Sequence, residues 1–331
     1  MALTFDQITA ITNKYYMPKF PELVFKQNYL LKRLWGKGTR PSSGESIKQP
    51  VMYQISKGGA YRPYDTFDIS AEDQVTAADF TWKYYEVPIT ISRDETLKND
   101  GPEGIRKLMD AKMQLAREQM SQLLANDLYS NSTNDSSAGL NGLDNLLDDA
   151  AATSTLTGVV GGAVAGGINK NQNIWWAGKI RSLGGTGIPL TYLLLNKAWF
   201  DVVDGNIKPT ILVGHNKSVQ QYMSSQQSNQ RYIKQDDLTA GFVSTEFNGT
   251  PFIADLNVPD FGTTTETRNR VYMLNEEYLD LVTHSKENMR LRAFAEPIDQ
   301  NVSVAHIFYA GNTTVSYPGR NMVVYNFDTD A

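Results

Sequence analysis

The 331-residue sequence contains no cysteine and only three histidines, and these absences exclude several kinds of functional site. Without thiols the chain has no disulfide, no thiolate zinc site and no cysteine nucleophile. His215, His284 and His306 are far apart in the sequence and form no metal-binding motif. His306 lies in an apolar strand pattern, so we predict that it packs in the core. The sequence therefore predicts no metal site.

Glycine-rich segments occur, but they lack the residues that phosphate-binding loops require. In GGAVAGGINK, Ile168 and Asn169 stand where a P-loop has lysine and serine or threonine. The stretch SLGGTGIP lacks the full dinucleotide-binding spacing, and no G-x-S-x-G nucleophile elbow is present. We predict no cofactor and no catalytic residue. An α+β enzyme without a linear motif stays an alternative, with segment 158–167 as its active-site loop.

Long apolar runs and a strong net charge are also missing. No segment approaches the ~18 unbroken apolar residues of a membrane span. The N-terminal stretch MALTFDQITAITNKYY lacks the basic start and apolar run of a secretory signal. Charged residues are 20% of the chain and the net charge is −5, which argues against a general nucleic-acid-binding protein. The expected protein is soluble, intracellular when made and without membrane contact.

The charges that are present are distributed unevenly along the chain. Residues 1–60 have nine Lys and Arg against three Asp and Glu, a net +6. Residues 61–100 have four against nine, a net −5. Such complementary segments favour pairing within a chain or between chains, and head-to-tail pairing between copies can close rings. Solvated surface charges are the simpler interpretation.

Residues 1–94 indicate an arm followed by a long hairpin. The arm, 1–38, has too few apolar residues for a core of its own, so it must lie on another surface. The loose alternation in GESIKQPVMYQIS predicts one limb of the hairpin, and DFTWKYYEVPITIS predicts the return limb. A change of apolar phase at Tyr84–Tyr85 predicts a β-bulge. Pro88 restricts the return limb to a sheet edge or a bulge.

One long helix and several short elements follow. Apolar residues at helical spacing predict a helix over 102–130, with Pro102 in its first turn. Glu95 is expected to cap a helix or to join an ion pair. The remaining predictions are a strand at Tyr192–Leu195, a helix near Lys197–Asp204, a polar loop at 218–232, a hairpin and strand within 247–259, and strands at Val271–Leu274, Asn301–Tyr309 and Met322–Phe327. The fold class is therefore α+β.

The order of these elements resembles the major capsid protein of tailed bacteriophages, with the Hong Kong 97-type shell fold. The likeness is carried by the extended loop at Gly44–Ser92, the long helix at Pro102–Ser130, and the stretches GLNGLDNLL and NGTPFIADLNVP. It implies five parts: an N-terminal arm (1–38), an extended loop with flanking strands (39–94), a peripheral domain with a spine helix (95–138), an axial domain (139–285) and a return to the peripheral domain (286–331).

The resemblance implies a structural role. Copies would assemble as hexamers and pentamers into an icosahedral phage head around double-stranded DNA, in the host cytoplasm and then as part of the virion. Scaffolding and portal proteins are the implied partners, with weak non-specific DNA contact. Another oligomeric virion or tail protein is a further alternative. The expected inter-subunit contact residues are Trp35, Lys57, Tyr61, Arg62, Tyr64, Asp65, Phe67, Gln226 and Arg231.

Overall fold

The computed structural model describes residues 28–54, 58–64, 73–98, 102–129, 138–147, 164–183, 187–226, 244–258, 269–298 and 300–328. The helices are α1 (Tyr29–Lys37), α2 (Arg93–Lys98), α3 (Pro102–Leu128), α4 (Leu143–Leu147), α5 (Tyr192–Val202) and α6 (Asn216–Ser225). The strands are β1 (Ile47–Met52), β2 (Val75–Phe80), β3 (Lys83–Ser92), β4 (Val164–Ala165), β5 (Ile168–Asn169), β6 (Lys179–Ser182), β7 (Ile211–Gly214), β8 (Ser244–Phe247), β9 (Thr250–Ala254), β10 (Arg270–Leu274), β11 (Leu279–Thr283), β12 (Arg290–Leu291), β13 (Val302–Val315) and β14 (Met322–Tyr325).

The described strands form two larger sheets and two small ribbons. A six-stranded sheet has the order β6-β14-β10-β7-β9-β8. In a four-stranded sheet, β13 pairs with β11, β12 and β3. The ribbons are β1–β2 and β4–β5. Neighbouring strands are antiparallel except in the β6–β14 and β7–β9 pairs. The chain is thus of the predicted α+β class.

Strand β3 has one buried and one exposed face. Val87 and Ile89 are buried, whereas Tyr84 and Glu86 are exposed, and the alternation continues without a break from one end of the strand to the other. The buried face packs against α3. Strand β3 lies at the edge of its sheet, as Pro88 predicts, because proline has no N–H to donate to a second neighbour.

The predicted bulge at Tyr84–Tyr85 is wrong. Strand β2 ends at Phe80 and pairs with β1, whereas β3 begins at Lys83 and pairs with β13 in another sheet. Tyr84 and Tyr85 occupy successive positions of a regular ladder. The apolar pattern changes phase because the chain leaves one sheet and enters another.

Helix α3 confirms the strongest helical prediction, and it starts at Pro102. Met109, Met113, Met120 and Leu124 are buried along one side. Just before it, Glu95 has the expected capping role at the start of α2. Ser92 N–H donates to the Glu95 carboxylate at 3.1 Å, and Glu95 N–H donates to the Ser92 hydroxyl at 3.1 Å.

Two short predictions were wrong in the middle of the chain. The predicted strand Tyr192–Leu195 is the first turn of α5, which continues to Val202. A short run of leucines suits a buried strand or a helix equally well, and the length of the element decides between them. The first part of the predicted polar loop 218–232 lies in α6, whose start is capped by the His215 side chain.

The six-stranded sheet lies between two apolar clusters. On one face, Leu212 and Met273 belong to the same cluster as the buried sides of α5 and α6. On the other face, Val213 and Tyr272 belong to the cluster that contains α3 and β3. One core therefore joins the sheet to the long helix, across the boundary predicted between the peripheral and axial parts. That division stays a prediction.

A buried ion pair connects α4 to the six-stranded sheet. Asp144 on α4 pairs with Arg270 on β10, and both side chains are almost completely buried. The Tyr272 hydroxyl donates to the same carboxylate at 2.7 Å. Removing one member of such a pair leaves the other charge buried without compensation.

We expect Asp144→Ala to lower the free energy of unfolding by about 3–5 kcal/mol, because Arg270 keeps its charge in the core. Urea unfolding, at a protein concentration where no particles form, measures the change. Asp201→Ala is the matched control, since it removes the partner of Arg181 at a partly exposed site. There the loss should be at most about 1 kcal/mol. Equal losses in the two variants would contradict the interpretation.

Candidate subunit-interface surface

The β1–β2 hairpin is built as a ribbon that belongs to neither of the larger sheets. Its antiparallel register runs from Ile47 opposite Phe80 to Met52 opposite Val75. Ile47 and Phe80, at the base, are buried, whereas Met52 and Val75, at the far end, are 78% and 61% exposed. An apolar pair across two strands normally packs on something. The far end of the hairpin therefore presents apolar surface beyond its own core.

The base of the hairpin is held by specific contacts. Asp79 N–H donates to the Gly166 carbonyl in the β4–β5 turn at 2.8 Å. Gly166 has φ +57°, and a Cβ placed there would lie 2.8 Å from the Phe80 ring, so only glycine fits. One residue beyond Met52, the Tyr53 ring stacks on the Trp175 ring with 5.0 Å between the ring centres. These contacts hold the ribbon against its own body at Asp79 and Phe80 and again at Tyr53, whereas the side chains of Met52 and Val75 stay exposed.

The residues that connect the two limbs include three of the predicted contact residues. Tyr61, Arg62 and Tyr64 are all exposed, Tyr61 by 68% and Tyr64 completely. Tyr64 has φ 82°, in the left-handed region that bulky side chains rarely adopt. Two large aromatic side chains beside an arginine form a surface of the composition that protein interfaces favour.

The other predicted contact residues have different surroundings. Lys57, Asp65, Phe67 and Arg231 lie outside the described residues, so their roles stay predictions. Trp35 is half-buried against the core of its own chain, with the Arg40 guanidinium 4.7 Å from its ring centre. Gln226 is half-buried at the end of α6, where its N–H donates to the Met223 and Ser224 carbonyls. Their part in subunit contacts is likewise untested.

The described end of the arm packs on its own chain. Leu31 and Leu34 of α1 are buried, and α1 lies against β11. Arg33 forms an ion pair with Glu276 at 2.6 Å, and Lys37 donates to the Glu276 carbonyl at 2.6 Å. Residues 1–60 are basic and residues 61–100 are acidic, and the two segments are possible partners. Arg33 of the basic segment instead pairs with Glu276 in the same chain.

The carboxylate of Asp255 joins the arm to the long helix and to the six-stranded sheet. Asn28, just before α1, donates to one oxygen at 2.7 Å, and the Tyr129 hydroxyl at the end of α3 donates to the same oxygen at 2.9 Å. Burial first, and then the nearby Asp255 charge, raise the pKa of Tyr129 well above its usual value. The Tyr129 hydroxyl therefore stays protonated. It donates to the same Asp255 oxygen that accepts from Asn28, and the shared carboxylate connects the arm to the body.

A second hydrogen-bonded centre anchors β3 where the hairpin returns to the body. The Tyr85 hydroxyl donates to Asp127 of α3 at 2.5 Å and accepts from Leu140 N–H at 2.6 Å. Burial and the Asp127 contact raise the pKa of Tyr85, which stays protonated. One phenol thus connects the strand, the long helix and the segment that leaves it.

The described residues contain no cluster of three side chains suited to hold a metal ion. No helix in the described part of the chain is both long and apolar enough to cross a membrane. His306, predicted to be a core residue, is instead partly exposed on the outer side of β13, opposite Pro88. At this position of β13 the side chain faces away from α3. The apolar residues around His306 in the sequence do not indicate which side of the strand is exposed.

No protein-family model and no curated protein matches the sequence. Solved structures do match. In the cyanophage A-1(L) capsid asymmetric unit, one chain matches with a TM-score of 0.63 at 14% identity, over 90% of this chain and 92% of that chain. The capsid of the native GTA particle matches with a TM-score of 0.61 at 12% identity, over 90% and 89%.

This chain has the fold of the Hong Kong 97-type capsid shell proteins. The likeness extends to the holo-SrpI encapsulin complex from Synechococcus elongatus PCC 7942, with a TM-score of 0.56 at 12% identity, over 100% of this chain and 98% of that chain. These matches cover nearly the whole chain. The fold predicted from the order of elements is confirmed.

We expect Tyr85→Phe to lower the free energy of unfolding by about 1–3 kcal/mol, because it leaves the buried Leu140 N–H and the Asp127 carboxylate without their partner. Tyr84→Phe is the matched control, since this neighbouring hydroxyl is on a side chain that is 71% exposed. Its effect should stay within about 0.5 kcal/mol. Urea unfolding of both variants measures the difference, and equal stabilities would show that the hydroxyl of Tyr85 has no anchoring role.

Proposed function

We propose that this chain is the structural subunit of an icosahedral phage shell, in which copies associate as hexamers and pentamers around double-stranded DNA. The carrying observation is the hairpin, whose far end presents Met52, Val75, Tyr61 and Tyr64 to solvent on a fold shared with capsid proteins. An exposed apolar ribbon does not stabilise a monomer, whereas contact with a neighbouring copy can bury its apolar surface.

The geometry favours contacts between different surfaces of adjacent copies. A hairpin that leaves its own body must meet another part of the next subunit, so the contact is heterologous. Heterologous contacts repeat by rotation and close into rings. Rings of five and six copies, joined to one another, make a closed shell. The five predicted parts, from the arm at 1–38 to the return at 286–331, are proposed as the divisions of the shell subunit.

The proposed contact with packaged DNA is weak and non-specific. The net charge of −5 gives no general attraction to phosphate. Among the exposed residues of α3, the charges of Lys107 and Asp110 offset each other, and Gln114, Leu115, Gln119, Gln122 and Leu123 are uncharged. Scaffolding and portal proteins are the further proposed partners, with assembly in the host cytoplasm and the virion as the final location.

A catalytic role receives less support from the described residues. The glycine-rich segment ends in the β4–β5 turn, where Gly166 supports the hairpin base. A cavity of about 540 Å³ lies beside β6, and its lining includes Asp201, Asp204 and Arg320. Both carboxylates are paired, Asp204 with Arg320 at 2.6 Å and Asp201 with Arg181. Acids held in ion pairs are poor proton-transfer groups, so we propose a structural protein rather than an enzyme.

We expect the variant Tyr61→Ser/Tyr64→Ser to keep its unfolding free energy within about 0.5 kcal/mol, because both rings are exposed in the single chain. Assembly should be impaired, because aromatic side chains contribute much of the binding energy of an interface. The lowest protein concentration at which particles form should rise at least about tenfold. Electron microscopy and light scattering measure assembly. Tyr61→Phe/Tyr64→Phe, which keeps the rings, is the control and should assemble like the wild type.

Two outcomes oppose the proposal. A wild-type chain that stays monomeric at every salt and protein concentration, with no particles in the microscope, contradicts the shell function. Particles purified from the producing cells that protect no DNA from nuclease contradict the proposed genome enclosure, while leaving a shell without a genome in place.

A further inference from the structure

A cavity of about 540 Å³ lies beside strand β6, at one edge of the six-stranded sheet. Its walls come from the start of β6, the C-terminal end of α5, and two short 3-10 helices, Ile174–Trp176 and Pro318–Arg320. We name it the β6 cavity and define it by the polar and aromatic residues of its lining: Trp175, Lys179, Asp201, Asp204, Tyr317 and Arg320.

The walls of the β6 cavity are held by buried contacts behind them. A Cβ at Gly178 would collide with the Leu147 carbonyl, so the start of β6 packs directly on the end of α4. Trp176 is completely buried, and its indole N–H donates to the Ala165 carbonyl at 2.9 Å. On the other side, two backbone hydrogen bonds of 3.1 and 3.0 Å close the turn Asp204–Ile207. The cavity is therefore preformed, as most ligand sites are.

Two aromatic rings provide much of the apolar lining. Trp175 is held in place by its stacking on Tyr53. The ring of Tyr317 is fixed by the Arg320 guanidinium, which lies 5.6 Å from the ring centre. Ile174, which also lines the cavity, is 73% exposed, so the apolar surface continues to the opening. Aromatic rings in fixed positions offer a ligand broad apolar contact surface.

The charged groups of the lining are balanced. Its cations are Lys179 and Arg320, and its carboxylates are those of Asp201 and Asp204. Arg320 donates to Asp204 at 2.6 Å, and Asp201 pairs with Arg181. A charged ligand would have to separate such a pair or lie against a like charge, and both are unfavourable. The lining therefore favours a neutral ligand.

These polar groups use only part of their hydrogen-bonding capacity. Among the described residues, the Asp204 carboxylate accepts through Oδ2 alone, and the Arg320 guanidinium donates to a carboxylate from Nη1 alone. The Lys179 ammonium makes one hydrogen bond, to the Asp201 carbonyl at 2.6 Å. The remaining donors and acceptors suit a ligand group that both donates and accepts. A hydroxyl group does this, whereas a carboxylate or an ammonium does not.

We propose that the β6 cavity is a binding site for a short neutral saccharide. The C–H faces of the sugar rings lie on Trp175 and Tyr317. The hydroxyl groups bond to Asp204, Arg320 and Lys179. The volume of the cavity is within the range of about 300–1,000 Å³ that is usual for ligand sites. This inference goes beyond the proposed shell function and does not depend on it, because the site lies within a single subunit.

Tryptophan fluorescence tests the site, because Trp175 lines it. The full-length chain, below the concentration at which particles form, is titrated with maltotriose, cellotriose and tri-N-acetylchitotriose. At least one of them should change the fluorescence, with a Kd at or below about 1 mM. Trp175→Phe keeps an aromatic ring, so saturation-transfer NMR should still detect the saccharide while most of the fluorescence change is lost.

A carboxylate substitution tests the polar contacts. Asp204→Ala should raise the Kd at least about tenfold, because it removes an acceptor for the sugar hydroxyls and the partner that orients Arg320. Glu287→Ala is the matched control, since Glu287 also pairs with an arginine, Arg290 at 3.0 Å, but lies outside the cavity. Its Kd should equal that of the wild type. Thermal unfolding checks that both variants retain the fold.

Three results would overturn the saccharide site. In the first, none of the three saccharides binds. In the second, Asp204→Ala binds as tightly as the wild type, which places the saccharide elsewhere on the chain. In the third, inorganic phosphate displaces the saccharide at a lower concentration than the free saccharide does, which makes the cavity an anion site. None of these results bears on the shell, whereas a wild-type chain that forms no particles overturns the shell function and leaves the saccharide site intact.

Discussion

A two-stranded ribbon buries too little apolar surface to be stable by itself, and this limit governs the architecture of the chain. The β1–β2 hairpin is stable in the folded chain because its base is part of the main core, where Phe80 packs beside Gly166. At its far end Tyr53 stacks on Trp175 of the same chain, but the side chains of Met52 and Val75 stay exposed. In the proposed shell, a second copy covers these exposed side chains.

Within the body, two buried polar groups each join three parts of the chain. Asp255 accepts from Asn28 and Tyr129, and Tyr85 bonds to Asp127 and Leu140. Apolar packing tolerates small shifts between elements, whereas a buried hydrogen bond is costly when its geometry is lost. These centres hold the arm, the long helix and β3 in one arrangement.

Elements with a regular spacing of apolar residues were predictable from the sequence. Features that depend on how the strands pair and pack were not. The long helix followed from its apolar spacing, and the turn at Asn248–Gly249 followed from residues that accept positive φ. The change of apolar phase at Tyr84–Tyr85 was visible in the sequence. A bulge within one strand and a change from one sheet to another both produce this pattern, so the sequence does not distinguish them. His306 was misplaced because an apolar neighbourhood does not tell which side of a strand is covered.

The candidate contact residues show the same limit. Aromatic and charged residues near the Gly58–Gly59 pair marked the hairpin as a contact element, since such residues are unusual in a simple loop. The exposed side of the four-stranded sheet had no such signal, because Tyr84, Arg290 and Phe308 come from three separate strands. Only their pairing in the sheet brings them together.

The hydrogen bond between Asn28 and Asp255 spans 227 positions in sequence. During synthesis it cannot form until residue 255 has left the ribosome, by which time most of the chain has been made. Contacts of such long range form late, because the entropy of closing a large loop must be offset by structure already in place. The seating of the arm is therefore a late folding event, and a chain that ends before residue 255 cannot make this contact.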